Sequence, residues 1–446
     1  MEPTLIREHA MGGSSTWHGP FDRMGIMVIR KPARPPGPGA EDAYVTASKL
    51  NYVGIGAGIG AAATSVVLGL SSALAAYFAR RVVTPDQFRQ EDLAILAVTG
   101  RDRDAHVILP ANDDTTVPGT YSLYFDRGRG HARIGPIVSY IPGEDTVTRR
   151  IEEVYSGNVH AAVRGWWGGS VYPDPAALGH ESEEVHVPVA GGSAPAWLVP
   201  APPEHDSRTW AIMVHGRGAT RTEGLRAVPT ARTLGMTSLL ISYRNDGEAP
   251  AAEDRRYGLG MTEWRDVEAA IEYARTKGAK DIVLFGWSMG GAISLQTVDL
   301  SEHGHLIRAL VLDGPVINWV DVLAHQARLN NIPAPIGQLG QLLLTHPAGR
   351  SLTGLAAPVN LKSMDWVHRA AELQTPTLII HSAADEYVPS GPSKELAGQN
   401  PAMVSFVEFA RGRHTKEWNV DRTAWHQAVS NWLAPVLSRA DGRHYR

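Results

Sequence analysis

Residues 281–292 read DIVLFGWSMGGA. Ile282 to Phe285 have the length and β-type composition of a buried strand, and the stretch from Met289 onward favours helix. Between them stands Gly286-Trp287-Ser288-Met289-Gly290, a G-x-S-x-G pattern in the strand–turn–helix setting that gives it meaning. A serine at such a turn is held in strained backbone geometry with its hydroxyl pointing out of the sheet edge. Glycine two residues to either side is needed because a Cβ there would collide with the neighbouring strand and helix. A Gly-rich βα turn with an ordinary serine looks the same locally, so the decision passes to the rest of the chain.

A nucleophilic serine needs a base, and the base needs a group to orient it. Residues 377–389 read TLIIHSAADEYVP, a buried strand followed by a loop carrying Asp385. The next strand, MVSFVEF at 403–409, leads into a loop with Arg411-Gly412-Arg413-His414. The order serine, acid, histidine is the one this elbow takes. Both partners lie just past the carboxyl end of a strand, where open α/β sheets place their sites. We therefore expect His414 to take the proton of Ser288 and return it to the leaving group, with Asp385 accepting the Nδ1 proton and fixing the tautomer. Asp313, after the strand Ala309–Leu312, is a rival acid. Two backbone N–H donors should face the developing oxyanion: one from Met289, the other from the loop His215-Gly216-Arg217-Gly218 that follows the strand Trp210–Val214.

With HGRG, GWSMGG, HSAADEYVP and RHTKEWN in place, the chain from about residue 210 to 437 resembles an α/β-hydrolase of the prolyl-oligopeptidase, serine-aminopeptidase and dienelactone-hydrolase branch. HGRG is similar to the HG-x-G oxyanion loops of esterases, which implies Arg217 as the second donor. The runs SYRNDGEAP (242–250), RYGLGMTEWRDVEAAIEYA (256–274) and VLDGPVINW (311–319) resemble a set of actinobacterial membrane-anchored hydrolases. The resemblance implies fold and chemistry and supplies no substrate.

The whole chain has 446 residues, long enough for two folded units plus extras. Apolar residues make up 43% and the net charge is −4 with both signs interspersed, so nucleic acid is not implied as a partner. There is no cysteine, which excludes disulfides, thiolate metal sites and a cysteine nucleophile. The histidines show no H-E-x-x-H or comparable spacing, and no cofactor is expected. Residues 1–50, rich in Gly, Pro and charge, read as disordered, and Met24 and Met27 are internal candidate starts. Tyr52 to Ala79 carries no charge and is long enough to cross a bilayer, so 51–81 is expected to be a single-pass transmembrane helix. Its small residues suit close helix contact in lipid. A cleaved leader ending near Ala73-Leu74-Ala75 and a buried Gly/Ala helix of a soluble domain are the competing readings. The flanking positive charges are nearly balanced, so the side of the catalytic domain stays open.

Residues 82–205 alternate short apolar runs with turn signals and read as a β-rich accessory segment running into the first antiparallel strands of the catalytic sheet. Strands then alternate with helices over 206–440, an α/β-hydrolase fold with a mostly parallel sheet, and 319–365 is expected to be a short cap. Trp287, Trp319, Tyr243 and Arg244, with Asn318, Asn245 and Asp246, fall on loops at the active edge and are the candidate substrate-binding residues. Trp166-Trp167 and Tyr172 to Pro175 are candidates to line a substrate approach, with packing under a loop the favoured reading. The expectation is a serine hydrolase acting through an acyl-enzyme on a carboxylic ester or related acyl substrate. A serine peptidase is the alternative, and a non-catalytic membrane-associated binding protein the rival from another class.

Overall fold

The computed structural model of the protein describes residues 69–86, 88–204 and 208–441. The segment 1–50 and the first part of the expected span, 51–68, lie outside them. A helix, α1, runs over residues 69–83. It is followed by a seven-stranded antiparallel sheet: β1 (Leu93–Ala94), β2 (Ala97–Thr99), β3 (His106–Pro110), β4 (Tyr121–Phe125), β5 (Gly130–Ile141), β6 (Thr146–Ser156) and β7 (Arg164–Gly168), in the order β1-β7-β4-β5-β6-β3-β2. Alternation sets its inner face: Val107 and Leu109 of β3 and Val147, Arg149 and Ile151 of β6 are buried. Arg149 is the exception in chemistry. Its guanidinium donates to the carbonyls of Gly135, Thr115, Val117 and Gly119 at 2.6–3.0 Å, so loop carbonyls bent toward the core find a partner.

The second sheet has eight strands: β8 (Glu183–Val189), β9 (Gly192–Val199), β10 (Thr209–Val214), β11 (Thr237–Ile241), β12 (Asp281–Trp287), β13 (Ile307–Asp313), β14 (Thr377–Ser382) and β15 (Val404–Phe409). Their order is β15-β14-β13-β12-β10-β11-β9-β8, parallel from β15 to β11 and antiparallel beyond. The sheet therefore takes in Glu183–Val199, ahead of the boundary expected at 206. Successive residues of each central strand face opposite layers. Ile212, Leu239 and Leu284 pack under α3 (Trp264–Thr276) and α4 (Met289–Leu300); Met213, Leu240 and Phe285 pack under α2 (Val228–Thr233) and α10 (Arg422–Asp441). Both faces are covered, which is why these strands read as continuous apolar runs. The order reverses at β10, between β11 and β12. The site gathers at the carboxyl end of that switch point.

Between β13 and β14, in the stretch where a cap is expected, lie α5 (Trp319–Leu329), α6 (Ala334–Thr345) and α7 (Arg350–Thr353). Two short helices complete the domain, α8 (Gly391–Gln399) and α9 (Glu417–Val420). The last part of the expected span 51–81, from residue 69, forms the start of α1. Ala75, Phe78, Ala79 and Val83 lie on one face of α1 and are buried, the last three in the catalytic domain's core. A Cβ on Gly340 of α6 would come 3.0 Å from the Phe78 ring, so the glycine lets α1 sit close. An apolar helical stripe is the same whether lipid or protein covers it, and here protein does. Among the described residues no helix is long and apolar enough to cross a membrane. If α1 is docked this way, Phe78→Ala lowers the unfolding free energy by about 3 kcal/mol in urea denaturation. An unchanged midpoint would contradict the docking.

Candidate active site

Ser288 sits between the end of β12 and the start of α4 with φ 51° and ψ −116°. A non-glycine residue so placed is strained by about 1–3 kcal/mol and needs surroundings that over-determine it. They do. A Cβ on Gly286 would stand 2.6 Å from the Gly290 carbonyl oxygen, and one on Gly290 would stand 2.0 Å from that of Val214. The turn is thus pressed between its own helix and the end of β10. Ser288 N donates to Asp313 O at 3.1 Å, and Ser288 O accepts from Gly291 N and Val316 N.

The hydroxyl this turn presents lies 2.8 Å from Nε2 of His414, and Nδ1 of His414 lies 2.7 Å from Oδ2 of Asp385. Ser288, His414 and Asp385 are thereby brought together. Asp385 is buried and accepts four hydrogen bonds: Tyr387 N and Val388 N at 2.8 Å on Oδ1, and His414 and His381 on Oδ2. Burial alone would raise its pKa. The neighbouring His414 and the imidazole hydrogen bonds reverse that and hold it well below the ordinary carboxylate range. For His414 the balance runs the other way. Burial lowers its pKa, but the charge and hydrogen bond of Asp385, with Glu386 and Glu223 nearby, leave it above the ordinary histidine value.

The rival acid is elsewhere. Asp313 is buried with Oδ2 accepting from Trp425 Nε1 at 2.7 Å, and it is hydrogen-bonded to Glu417. Burial raises Asp313, and burial and then the adjacent Asp313 charge push Glu417 far up, so the two hold one proton between them. Its other oxygen accepts from Ser382 N at 2.8 Å.

The loop after β10 lies against the serine: a Cβ on Gly216 would be 3.1 Å from that of Ser288. Glu223 accepts the Gly216 N–H at 2.7 Å. The Tyr243 hydroxyl reaches the carbonyls of His215 and Gly216 at 3.0 and 3.2 Å. Both nitrogens of the buried His215 face acceptors, Gly216 O at 2.9 Å and Asp246 Oδ2 at 3.1 Å. Burial opposes charging this ring, but the Asp246 hydrogen bond and charge outweigh it and raise its pKa. Met289 opens α4, so its N–H belongs to the first turn, which has no partners within the helix. The side chain of Arg217 points away from the serine. Its guanidinium donates to the carbonyls of Arg81, Val82 and Thr84 at 2.8–3.1 Å, closing the C-terminal end of α1.

The expected pocket residues do not form a pocket wall. Trp287 is buried in the core layer under α2 and α10. Trp319 is buried and donates Nε1–H to Leu259 O at 2.8 Å. Tyr243 is enclosed beneath the Gly216 loop, and Arg244 makes a bidentate pair with Asp266 at 2.7 and 2.8 Å. Asn318 caps α5 through Val320 N and Asp321 N, and the Asn245 side chain bonds Arg256 O and Ala252 N. What does face the site is Tyr387, half exposed and stacked on the His414 ring at 5.6 Å.

The accessory sheet takes part in a way its own sequence does not signal. Lys416 bonds Asp114 at 2.6 Å, Arg413 pairs with Asp113 and with Glu386, and Asn419 donates to the carbonyls of Thr120 and Gly169. The loop carrying His414 is therefore gripped from that side, while Arg226 holds Thr415 O at 2.7 Å from the other. Among the described residues no group of His, Asp and Glu is arranged to hold a metal ion.

The family described as "Alpha/beta hydrolase family" matches residues 205–420. The segment 205–420 is an α/β-hydrolase domain. A second family, "Domain of unknown function (DUF8805)", matches residues 94–168 of this hydrolase, the seven-stranded sheet. No curated relative matches the chain. Among solved structures, an esterase of Pyrococcus furiosus is 17% identical, with 59% of this chain and 95% of that one covered at a TM-score of 0.45. A 2-hydroxy-6-oxo-6-phenylhexa-2,4-dienoate hydrolase of a Rhodococcus strain is 17% identical, covering 57% and 99% at 0.42. A puromycin hydrolase is 14% identical, covering 80% of this chain and 48% of its own at 0.45. At such identities and scores, what those proteins act on stays with them.

If His414 takes the serine proton it must be neutral to do so, and activity is then lost as pH falls through its raised pKa. The acid limb of kcat/KM is expected to have its midpoint above about 6.5. A midpoint well below that would contradict the pairing with Asp385.

Proposed function

We propose that the hydrolase cleaves a carboxylic ester or related acyl substrate through an acyl-enzyme. Ser288 attacks the carbonyl as His414 removes its proton. The oxyanion faces the N–H groups of Met289 and Arg217. His414 then protonates the leaving group and activates water for deacylation. The observation that carries this reading is the unbroken chain from the strained Ser288 hydroxyl through His414 to Asp385, at 2.8 and 2.7 Å. The similarity of GWSMGG to the GHSMGG elbows of lipases and esterases supports an ester with an apolar acyl part over a peptide. A fluorophosphonate probe is expected to label the full chain and to leave Ser288→Ala unlabelled. Labelling that survives this substitution would contradict the assignment, and a folded protein that is never labelled would favour a binding role. Nitrophenyl esters run beside aminoacyl-amide substrates separate esterase from peptidase, and faster amide turnover would favour the latter.

We further propose that the protein is attached to a membrane by the segment preceding α1. The charge-free run beginning at Tyr52 supports this, while one face of α1 packs into the catalytic domain's core beside α6. The full chain should sediment with membranes and be released by detergent but not by carbonate. Recovery in the soluble fraction without detergent would contradict attachment.

A further inference from the structure

Asp385 serves two imidazoles, and the mechanism uses only one. Its Oδ2 lies 2.7 Å from His414 Nδ1 and 3.1 Å from Nε2 of His381, a fully buried residue on β14. The same Nε2 is 3.0 Å from the carbonyl oxygen of Val388. A carboxylate and a carbonyl can only accept, so this nitrogen carries a hydrogen and forks it between them. Nδ1 of His381 lies 2.9 Å from the hydroxyl of Ser393, a buried residue near the start of α8. Among the described residues that hydroxyl has no other hydrogen-bond partner, so a neutral Nδ1 accepting its hydrogen satisfies every group in the cluster.

We propose that His381 is a positioning residue of the triad: a neutral Nε2–H imidazole that keeps Oδ2 of Asp385 aimed at His414 and tempers its charge. This rests on Asp385 being the triad acid. With Oδ1 held by two backbone N–H groups, the His381 hydrogen bond completes the constraint on rotation of the carboxylate about its Cβ–Cγ bond. Neutrality matters as well as direction. A cationic His381 would compete with the His414 imidazolium for a single negative charge in a site where Asp385 has no access to water. A neutral donor withdraws only part of that charge. Removing it concentrates charge on Oδ2 and raises the pKa of His414.

The other titratable groups around the cluster have their own partners. Glu386 accepts the His414 N–H and pairs with Arg413, Glu223 holds Gly216, Glu417 shares a proton with Asp313, and Tyr387 stacks on His414.

The test compares His381→Met, which fills similar space without a donor, with His381→Gln, whose amide nitrogen reaches about where Nε2 stood. Both are purified as the full chain and checked for native circular dichroism. His381→Met is expected to lose about 10- to 100-fold in kcat with KM within about twofold, and to shift the acid limb of kcat/KM to higher pH. His381→Gln should recover most of the turnover and the wild-type limb. Wild-type kcat with an unmoved limb in His381→Met overturns the proposal. So do equal losses in both variants with the limb unmoved, which would mean packing alone. Nitrogen-15 spectra of histidine-labelled wild-type protein give a readout independent of any variant. A neutral Nε2–H form of His381 whose shift moves as His414 titrates is expected, and an Nδ1–H or cationic form overturns it. His414→Ala separates the two levels of argument: near-normal turnover there would end the triad reading itself, whereas an inactive His414→Ala beside an unaffected His381→Met ends only this one.

Discussion

The left-handed backbone at Ser288 is the constraint on which the rest of the structure depends. It exists because Gly286 and Gly290 leave no Cβ in a gap that is already filled by the end of β10 and the first turn of α4. That crowding aims the hydroxyl off the sheet edge and starts α4 beneath it. It also brings the Gly216 loop close against Ser288, so the proposed nucleophile and the proposed oxyanion loop are set by one piece of packing. The cost in backbone strain, ~1–3 kcal/mol, is offset by burial on both faces of β12. A looser sheet would let the turn relax and carry the hydroxyl away from His414.

Around this turn the fold keeps several carboxylates apart by environment. Asp385 is saturated by four donors and stays ionised. Asp313 and Glu417 are buried face to face and hold a proton between them. Glu223 is committed to the Gly216 N–H and Arg226. Only the first reaches His414. The difference lies in donors and not in proximity to the sheet edge, since Asp313 ends β13 and Asp385 follows β14. The loop with His414 is in turn held between Arg226 and the acidic tip of the accessory sheet. That gives the seven-stranded unit a role in keeping the base in place.

Much of this was legible in the chain because each piece is local. The apolar runs ending in Phe285, Ile380 and Phe409, each followed by a small-residue or polar loop, placed Ser288, Asp385 and His414 on one edge. What was not legible depends on partners distant in sequence. Arg244 looks like a mouth residue until Asp266 claims it, and Tyr243 until its hydroxyl is found under the Gly216 loop. Trp287 is one step from the nucleophile, but strand alternation sends it to the opposite layer. Along β5, bulges between His131 and Ser139 break the period of two that would mark a strand in the sequence. In α1, hydropathy reports that a face is apolar and nothing about what covers it. His381 precedes the acid by four residues in plain view, yet only the shared Oδ2 gives it a part.

The central claim is that Ser288 becomes covalently acylated during turnover. It is tested most directly by acid-quenching the enzyme while it hydrolyses a nitrophenyl ester and weighing the protein and its peptides. The account predicts a protein heavier by the acyl group, with the added mass on the peptide containing Ser288. Rapid turnover with no adduct under conditions where deacylation is slow, or an adduct on another residue, would contradict it.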